Sequence, residues 1–231
     1  MIVINMKFLK SLLCFTTVLF LSAFLPACGG GGSGGGGGGS SSQFGVRVLH
    51  GAIEAPPLEF LRPGSDELLR SRFLDEAFYS DAPAGPLLVS LFTANSGGSD
   101  LVVSAPVDVE EGSRNTVFVF GDQSTLGIRT NVLRDEFSDD STSLRVLNGV
   151  DSASSITVNI STVAGPQTVA FGSDTGYLNV GAGDLVFSAA RTVDGLVVTS
   201  GTIPIAEGNS YTLLISGEAG VFVSQMLYLD S

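Results

Sequence analysis

The chain has 231 residues, of which 44% are hydrophobic and 15% are charged, a composition that excludes a disordered protein. The net charge is −12 at pH 7, and beyond residue 27 nine arginines stand against 23 acidic residues, a net −14. This balance argues against a nucleic-acid partner and against direct docking onto anionic lipid, since both require clustered Lys and Arg.

The first 27 residues have the form of a secretory signal peptide. Lys7 and Lys10 precede an apolar run, Ser11–Leu25, and the small residue Ala27 follows it. The run is shorter than the roughly 20 apolar residues that a transmembrane helix needs. The sequence therefore predicts an exported chain from which residues 1–27 are removed.

The end of this segment, Leu25-Pro26-Ala27-Cys28, resembles the bacterial lipobox, with Pro26 at a position usually held by a small residue. The resemblance implies a lipoprotein: diacylglycerol on the sulfur of Cys28, cleavage before it, and acylation of the new amine, typically with palmitate. Several acyl chains make a stable membrane anchor. Under the sorting rule of such proteins, Gly29 implies the outer membrane; which face it occupies stays open. The alternative is an ordinary secretory signal with an incidental cysteine.

The lipid-acceptor residue begins a segment made almost entirely of glycine and serine, residues 28–43. This composition is typical of a flexible tether. No Lys-Ser or Lys-Thr follows the glycines, so the segment is not predicted to bind a nucleotide. The other cysteine, Cys14, lies in the signal, and the mature body is expected to have no disulfide.

The body that follows contains an internal repeat, which predicts two domains at residues 44–137 and 138–231. Val46–Gly51 returns as Leu144–Gly149 at an offset of 98 residues. Tyr79 returns as Tyr177 at the same offset, whereas later matches keep an offset of 96. A two-residue difference in one loop would explain the change. Further matches are Phe73 with Phe171, Thr116 with Thr212 and Gly121 with Gly217.

Each copy shows about seven short strands between turn residues, which favours an all-β fold of two tandem immunoglobulin-like antiparallel β-sandwich domains. One segment, Asp66–Tyr79, has the composition of a short helix. Its repeat partner, Ala164–Tyr177, contains Pro166 and three glycines and cannot be one helix. We therefore predict a strand at Leu68–Phe73, with a short inserted helix as the alternative. The strands predicted in the second copy are 144–147, 156–160, 168–171, 184–189, 196–199, 211–216 and 221–229.

Val46–Gly51, with the Glu54–Phe60 segment after it, resembles the opening of the bacterial domain-of-unknown-function family 4397. Tyr177–Gly183 and Ala206–Thr212 resemble a turn and a late strand of the same family. The second copy departs from the pattern at Asn148, where the family has histidine. The resemblance implies an exported β-sandwich module and implies no reaction.

Two motifs suggest catalysis and neither predicts it. His50 is the only histidine, no cysteine of the mature body accompanies it, and its repeat equivalent is Asn148, so we expect it to bond a turn. Asp174-Thr175-Gly176 spells the aspartic-protease triplet, but the matching positions in the first copy begin at Glu76 and supply no second triplet. We expect a β-turn there. The sequence thus predicts a non-enzyme without a cofactor.

A cluster of carboxylates at the seam between the copies is the remaining candidate site. It consists of Asp135, Glu136, Asp139 and Asp140. Oxygen-rich clusters can bind calcium between domains, although no EF-hand spacing is present and a solvated linker is the alternative. We therefore expect a lipid-anchored protein of the cell envelope with a structural or binding role, with an envelope protein or glycan as partner. The alternative is a carbohydrate- or calcium-binding surface module for adhesion.

Overall fold

The computed structural model describes residues 45–123, 127–137 and 141–230. Cys28, the predicted signal and tether, and the seam residues Asp139 and Asp140 lie outside the described residues. The described residues belong to one compact unit, and their regular structure consists of β-strands. No helix among them is long and apolar enough to cross a membrane.

The first repeat forms two sheets that enclose an apolar core. One sheet has the strand order β1-β6-β7 and the other β3-β2-β4-β5. Val48, Leu91 and Val117 are among the core residues. The strands are β1 (Gly45–His50), β2 (Leu58–Leu61), β3 (Leu68–Ser71), β4 (Gly85–Thr93), β5 (Leu101–Val109), β6 (Arg114–Phe120) and β7 (Arg129–Arg134).

The second repeat has the same architecture with an additional short strand. Its sheets have the orders β11-β8-β14-β15 and β10-β9-β12-β13, and Val146, Phe187 and Leu213 lie in the core between them. The strands are β8 (Ser143–Asp151), β9 (Ser155–Ile160), β10 (Gln167–Ala170), β11 (Leu178–Asn179), β12 (Gly183–Arg191), β13 (Val197–Ile205), β14 (Ser210–Glu218) and β15 (Phe222–Leu229).

The fold is all-β with two tandem β-sandwiches, which confirms the predicted class, but the sheets are not wholly antiparallel. β1 pairs with β6 in parallel, and β8 pairs with β14 in the same way. In both repeats the first strand of the copy joins its sheet beside a strand that is distant in sequence. Periodicity within a strand carries no information about the direction of its neighbour, so the sequence alone favoured the more common antiparallel pairing.

The two repeats stack through these sheets. β1, β6, β8 and β14 are buried on both faces: Val46 and Val48 point into the first core, and Leu49 points to the other repeat. The residues between the repeats form a third apolar cluster of Leu49, Phe118, Phe120, Leu133, Leu147, Leu214 and Tyr228. The result is four layers, with the two parallel-paired sheets in the middle.

The two-residue change in repeat offset lies in one hairpin. Seven residues connect β4 to β5 in the first repeat, and five connect β12 to β13 in the second. The ambiguous segment is also resolved, because Leu68–Ser71 forms a strand that pairs with Leu58–Leu61, its antiparallel neighbour. The prediction of a strand there is confirmed, and no helix is inserted.

Candidate functional site

Two arginines lie opposite each other between the middle sheets. Arg47 is on β1 and Arg145 is on β8, at equivalent positions of the repeat, and neither is exposed to solvent. Each parallel pairing places a threonine beside the arginine: Thr116 beside Arg47 and Thr212 beside Arg145. The alternation of each strand directs these side chains away from the core of their own repeat and toward the other repeat.

Each arginine is paired with a carboxylate of the other repeat. Nη1 of Arg47 lies 2.6 Å from Oδ1 of Asp230, and Nη1 of Arg145 lies 2.6 Å from Oδ1 of Asp135. All four side chains are fully buried. Buried charges are tolerated only when they are paired and hydrogen-bonded, so this exchange couples the repeats to each other.

The threonine hydroxyls connect the arginines to the carboxylates. Nε of Arg47 donates to Oγ1 of Thr116 (2.8 Å), which donates to Oδ2 of Asp135 (2.8 Å). On the other side, Oγ1 of Thr212 donates to Oδ2 of Asp230 (2.6 Å). Nη2 of Arg47 also donates to Thr212 across the interface (3.2 Å). Each carboxylate therefore accepts from a hydroxyl of its own repeat and pairs with a cation of the other repeat.

A tyrosine completes each half of the cluster. The hydroxyl of Tyr79 donates to Asp135 (2.6 Å), and that of Tyr177 donates to Asp230 (2.8 Å). The guanidinium carbons of Arg47 and Arg145 each lie 4.6 Å from the centre of the tyrosine ring of their own repeat. We call these eight residues the inter-repeat cluster: Arg47, Tyr79, Thr116, Asp135, Arg145, Tyr177, Thr212 and Asp230.

The arginines and tyrosines of the inter-repeat cluster each keep one protonation state near neutral pH. Burial is the largest single influence and lowers the pKa of Arg47, but the combined electrostatic interactions with Asp230, Tyr79, Asp135 and Tyr177 outweigh burial and raise it. Burial raises the pKa of Tyr79 and of Tyr177. Two cations therefore face two carboxylates while the phenols stay protonated as donors. This arrangement suits a structural connection between the repeats better than proton transfer.

Two of the carboxylates predicted to bind calcium, Asp135 and Glu136, pair with different arginines. The side chain of Asp135 is buried in the inter-repeat cluster, which contradicts the alternative of a solvated linker at that residue. Glu136 is exposed, and its Oε1 lies 3.4 Å from Nε of Arg134. Among the described residues, no group of three His, Cys, Asp or Glu side chains could hold a metal ion. The calcium hypothesis stays a prediction, and Asp139 and Asp140, on which it now depends, lie outside the described residues.

His50 is buried at the end of β1 and contacts the segment that connects β1 to β2. Its Nε2 lies 3.3 Å from the carbonyl oxygen of Pro56. The His50 and Phe73 rings are edge-to-face, with their centres 6.4 Å apart. Burial lowers the pKa of His50, so the ring is neutral at pH 7. The equivalent Asn148 donates to the carbonyl of Val169 at 3.0 Å, a comparable structural bond.

The Asp174-Thr175-Gly176 triplet follows a turn rather than forming one. The turn closes between Ala170 and Ser173, and Asp174 then makes a β-bridge with Leu147. A carboxylate oxygen of Asp174 lies 3.6 Å from Arg145. The backbone N–H of Val146 donates to Oγ1 of Thr175, so the triplet is attached to β8.

Sequence reasoning missed the inter-repeat cluster as a unit, although the repeat contained its signal. Arg47, Thr116 and Tyr79 each have an identical residue at the matching position of the second copy. An arginine retained within an apolar strand is unusual, because a buried cation needs a carboxylate. The two aspartates were harder to find, since Asp135 and Asp230 lie beyond the last strand of each copy.

Comparisons with known proteins leave the family open. The sequence matches no protein-family model and no curated protein. Among solved structures, a pair of C2 domains from extended synaptotagmin 2 aligns over 77% of this chain and 86% of its own, with 11% identity and a TM-score of 0.25. A similarity at this level supports no inference about function.

Proposed function

We propose that this chain is a lipid-anchored protein of the bacterial cell envelope, with a non-catalytic structural or binding role. The observation that carries the structural part of the proposal is the inter-repeat cluster, because it makes two repeats into one body rather than two independent modules. The lipobox-like Leu25–Cys28 and the glycine-rich residues 28–43 support attachment of this body to the outer membrane by a flexible tether.

The burial of the polar groups supports the non-catalytic part of the proposal. Arginine, aspartate, tyrosine and threonine are the side chains from which many active sites are built. In the inter-repeat cluster the arginine and aspartate side chains pair with each other and are closed to solvent, whereas the tyrosines are half-buried. A substrate would have to separate the repeats to reach the charged groups. Their contribution is then to rigidity, which suits a protein that presents a surface to a partner.

The test of the lipid anchor is incorporation of labelled palmitate in a bacterial host. We expect wild type to be labelled and Cys28→Ala to be unlabelled, because the thioether and the cleavage both require that sulfur. Cys14→Ala is the matched control, since it removes the other cysteine, and it should be labelled like wild type. Globomycin should block cleavage before Cys28. Labelling of Cys28→Ala equal to wild type would overturn the anchor.

The location of the body is tested by protease treatment of intact cells. Digestion in intact cells would indicate the outer surface and favour a partner outside the cell. Protection until the outer membrane is opened would indicate the periplasm, where crosslinking would then identify an envelope partner. Recovery of the body in the cytoplasm, both in intact cells and after the outer membrane is opened, would contradict the proposed export.

A further inference from the structure

The last strand of the second repeat is an edge strand without charged residues. β15 ends the order β11-β8-β14-β15, and residues 221–229 read VFVSQMLYL. Val221, Phe222 and Leu229 expose 75%, 54% and 60% of their surface. Natural sheets usually protect such an edge with charge, proline or a covering segment, because its free backbone groups are a template for another strand.

The equivalent edge of the first repeat is protected. Arg129 occupies the β7 position that Ser224 occupies on β15, and Arg134 occupies the position of Leu229. Arg134 is itself held by Glu110, at 2.7 Å. The two copies therefore differ in charge at this edge while sharing their register. The strand registers show this equivalence. Arg129 pairs with Phe120 and Ser224 pairs with Ser216, and Phe120 and Ser216 are matching positions of the repeat. Arg134 pairs with Asn115 and Leu229 pairs with Tyr211, which are also matching positions.

The backbone direction of β15 shows which of its groups point outward. The N–H of Asp230 donates to the carbonyl of Ser210, which precedes Tyr211 on β14. Alternate residues of an antiparallel strand bond to the same neighbour. The N–H and C=O groups of Gln225 and Leu227 therefore point away from β14, toward an edge with which no strand of the described residues pairs. An extended strand laid along this edge would find its hydrogen-bonding partners already aligned.

We propose that β15 pairs with β15 of a second copy of this chain, antiparallel about a two-fold axis. Pairing centred on Gln225 places Val221 opposite Leu229 on one face of the sheet and Phe222 opposite Tyr228 on the other face. The two four-stranded sheets then become one continuous sheet.

Charge permits a second copy to bind at this strand, but disfavours it elsewhere on the surface. The chain carries a net charge of −12, so two copies repel each other over most of their surfaces. Residues 221–229 carry no charge, so this strip can meet itself without direct like-charge contacts. A symmetric pairing also makes both partners equally complementary, because the same strand supplies both sides.

The test is sedimentation velocity of the full chain in mild detergent over a range of concentrations. We expect wild type to dimerise. The double variant Ser224→Arg/Leu229→Arg introduces the arginines of β7, and we expect its dimer dissociation constant to be at least about tenfold higher. Val193→Arg is the matched control: Val193 is apolar and 82% exposed in the hairpin between β12 and β13. This variant should dimerise like wild type.

Hydrogen exchange locates the contact independently. Amide exchange at Gln225 and Leu227 should slow as wild type associates and should not change with concentration in the double-arginine variant. Thermal unfolding of that variant within a few degrees of wild type shows that the fold is retained. A wild-type chain that stays monomeric, a folded double-arginine variant that still dimerises, or dimerisation without protection of these amides would each overturn the proposal.

Discussion

Replacement of Arg47 by methionine tests whether the inter-repeat cluster holds the two repeats together. The substitution keeps an apolar stem of similar length and removes the guanidinium, whose Nη1 lies 2.6 Å from Oδ1 of Asp230. The carboxylate of Asp230 then stays fully buried without its cation. It keeps the hydrogen bonds from Thr212 and Tyr177, which only partly compensate for its charge.

The expected cost follows from the burial of that carboxylate. Removing one partner of a buried ion pair typically lowers the free energy of unfolding by about 3–5 kcal/mol. In a body of this size, each kcal/mol corresponds to about 2–4 °C in Tm. We therefore expect Arg47→Met to lower the Tm by about 6–20 °C.

Urea unfolding followed by far-ultraviolet circular dichroism measures this cost in a chain that contains no tryptophan. Arg62→Met is the matched control, because Arg62 pairs with Glu67 at a comparable distance of 3.0 Å while both side chains are exposed. An exposed pair contributes about 1 kcal/mol or less. The control should therefore unfold close to wild type.

A double variant separates the lost pair from lost packing. In Arg47→Met/Asp230→Leu the unpaired carboxylate is gone, so the double variant should be more stable than the sum of the single variants predicts. If Arg47→Met lowered the free energy of unfolding by no more than Arg62→Met does, the inter-repeat cluster would not hold the two repeats together. Additive effects of the two single variants would likewise contradict direct coupling.

Two further predictions concern a tight contact and a buried histidine. Gly172→Ala should lower the free energy of unfolding by about 2 kcal/mol more than Gly165→Ala, measured by urea unfolding, and equal costs would contradict it. Both glycines have φ +75°, but a Cβ at Gly172 would overlap the ring of Phe120, whereas the space at Gly165 is open. His50 has a lowered pKa in the folded chain, so its contribution to stability is present above its ordinary value of 6.5 and is lost as the pH falls below it. The drop in unfolding free energy between about pH 7.5 and 5 should be smaller in His50→Asn, and an unchanged drop would show that His50 is not its source.

The sequence by itself determined most strands of the second copy, because their signals are local, but it did not predict the two-residue β11. Alternating apolar residues and intervening turn residues place every predicted strand of the second copy on a strand of the structure. The repeat corrected the one misleading segment, Asp66–Tyr79, whose helical composition gives way to pairing of Leu68–Ser71 with β2. The change of offset also predicted a loop of different length, which is the hairpin between β4 and β5.

Only the tertiary structure decided how the repeats meet. Period-two alternation separates the two faces of a strand, but it does not say what covers the second face. Arg47 reads as a solvent-facing residue of β1 until the sheet of the other repeat covers it and Asp230 reaches it from the far end of the chain. Asp135 reads as part of a solvated linker for the same reason, until Arg145 pairs with it. A buried charge is permitted only by its partner, and here each partner comes from the other repeat.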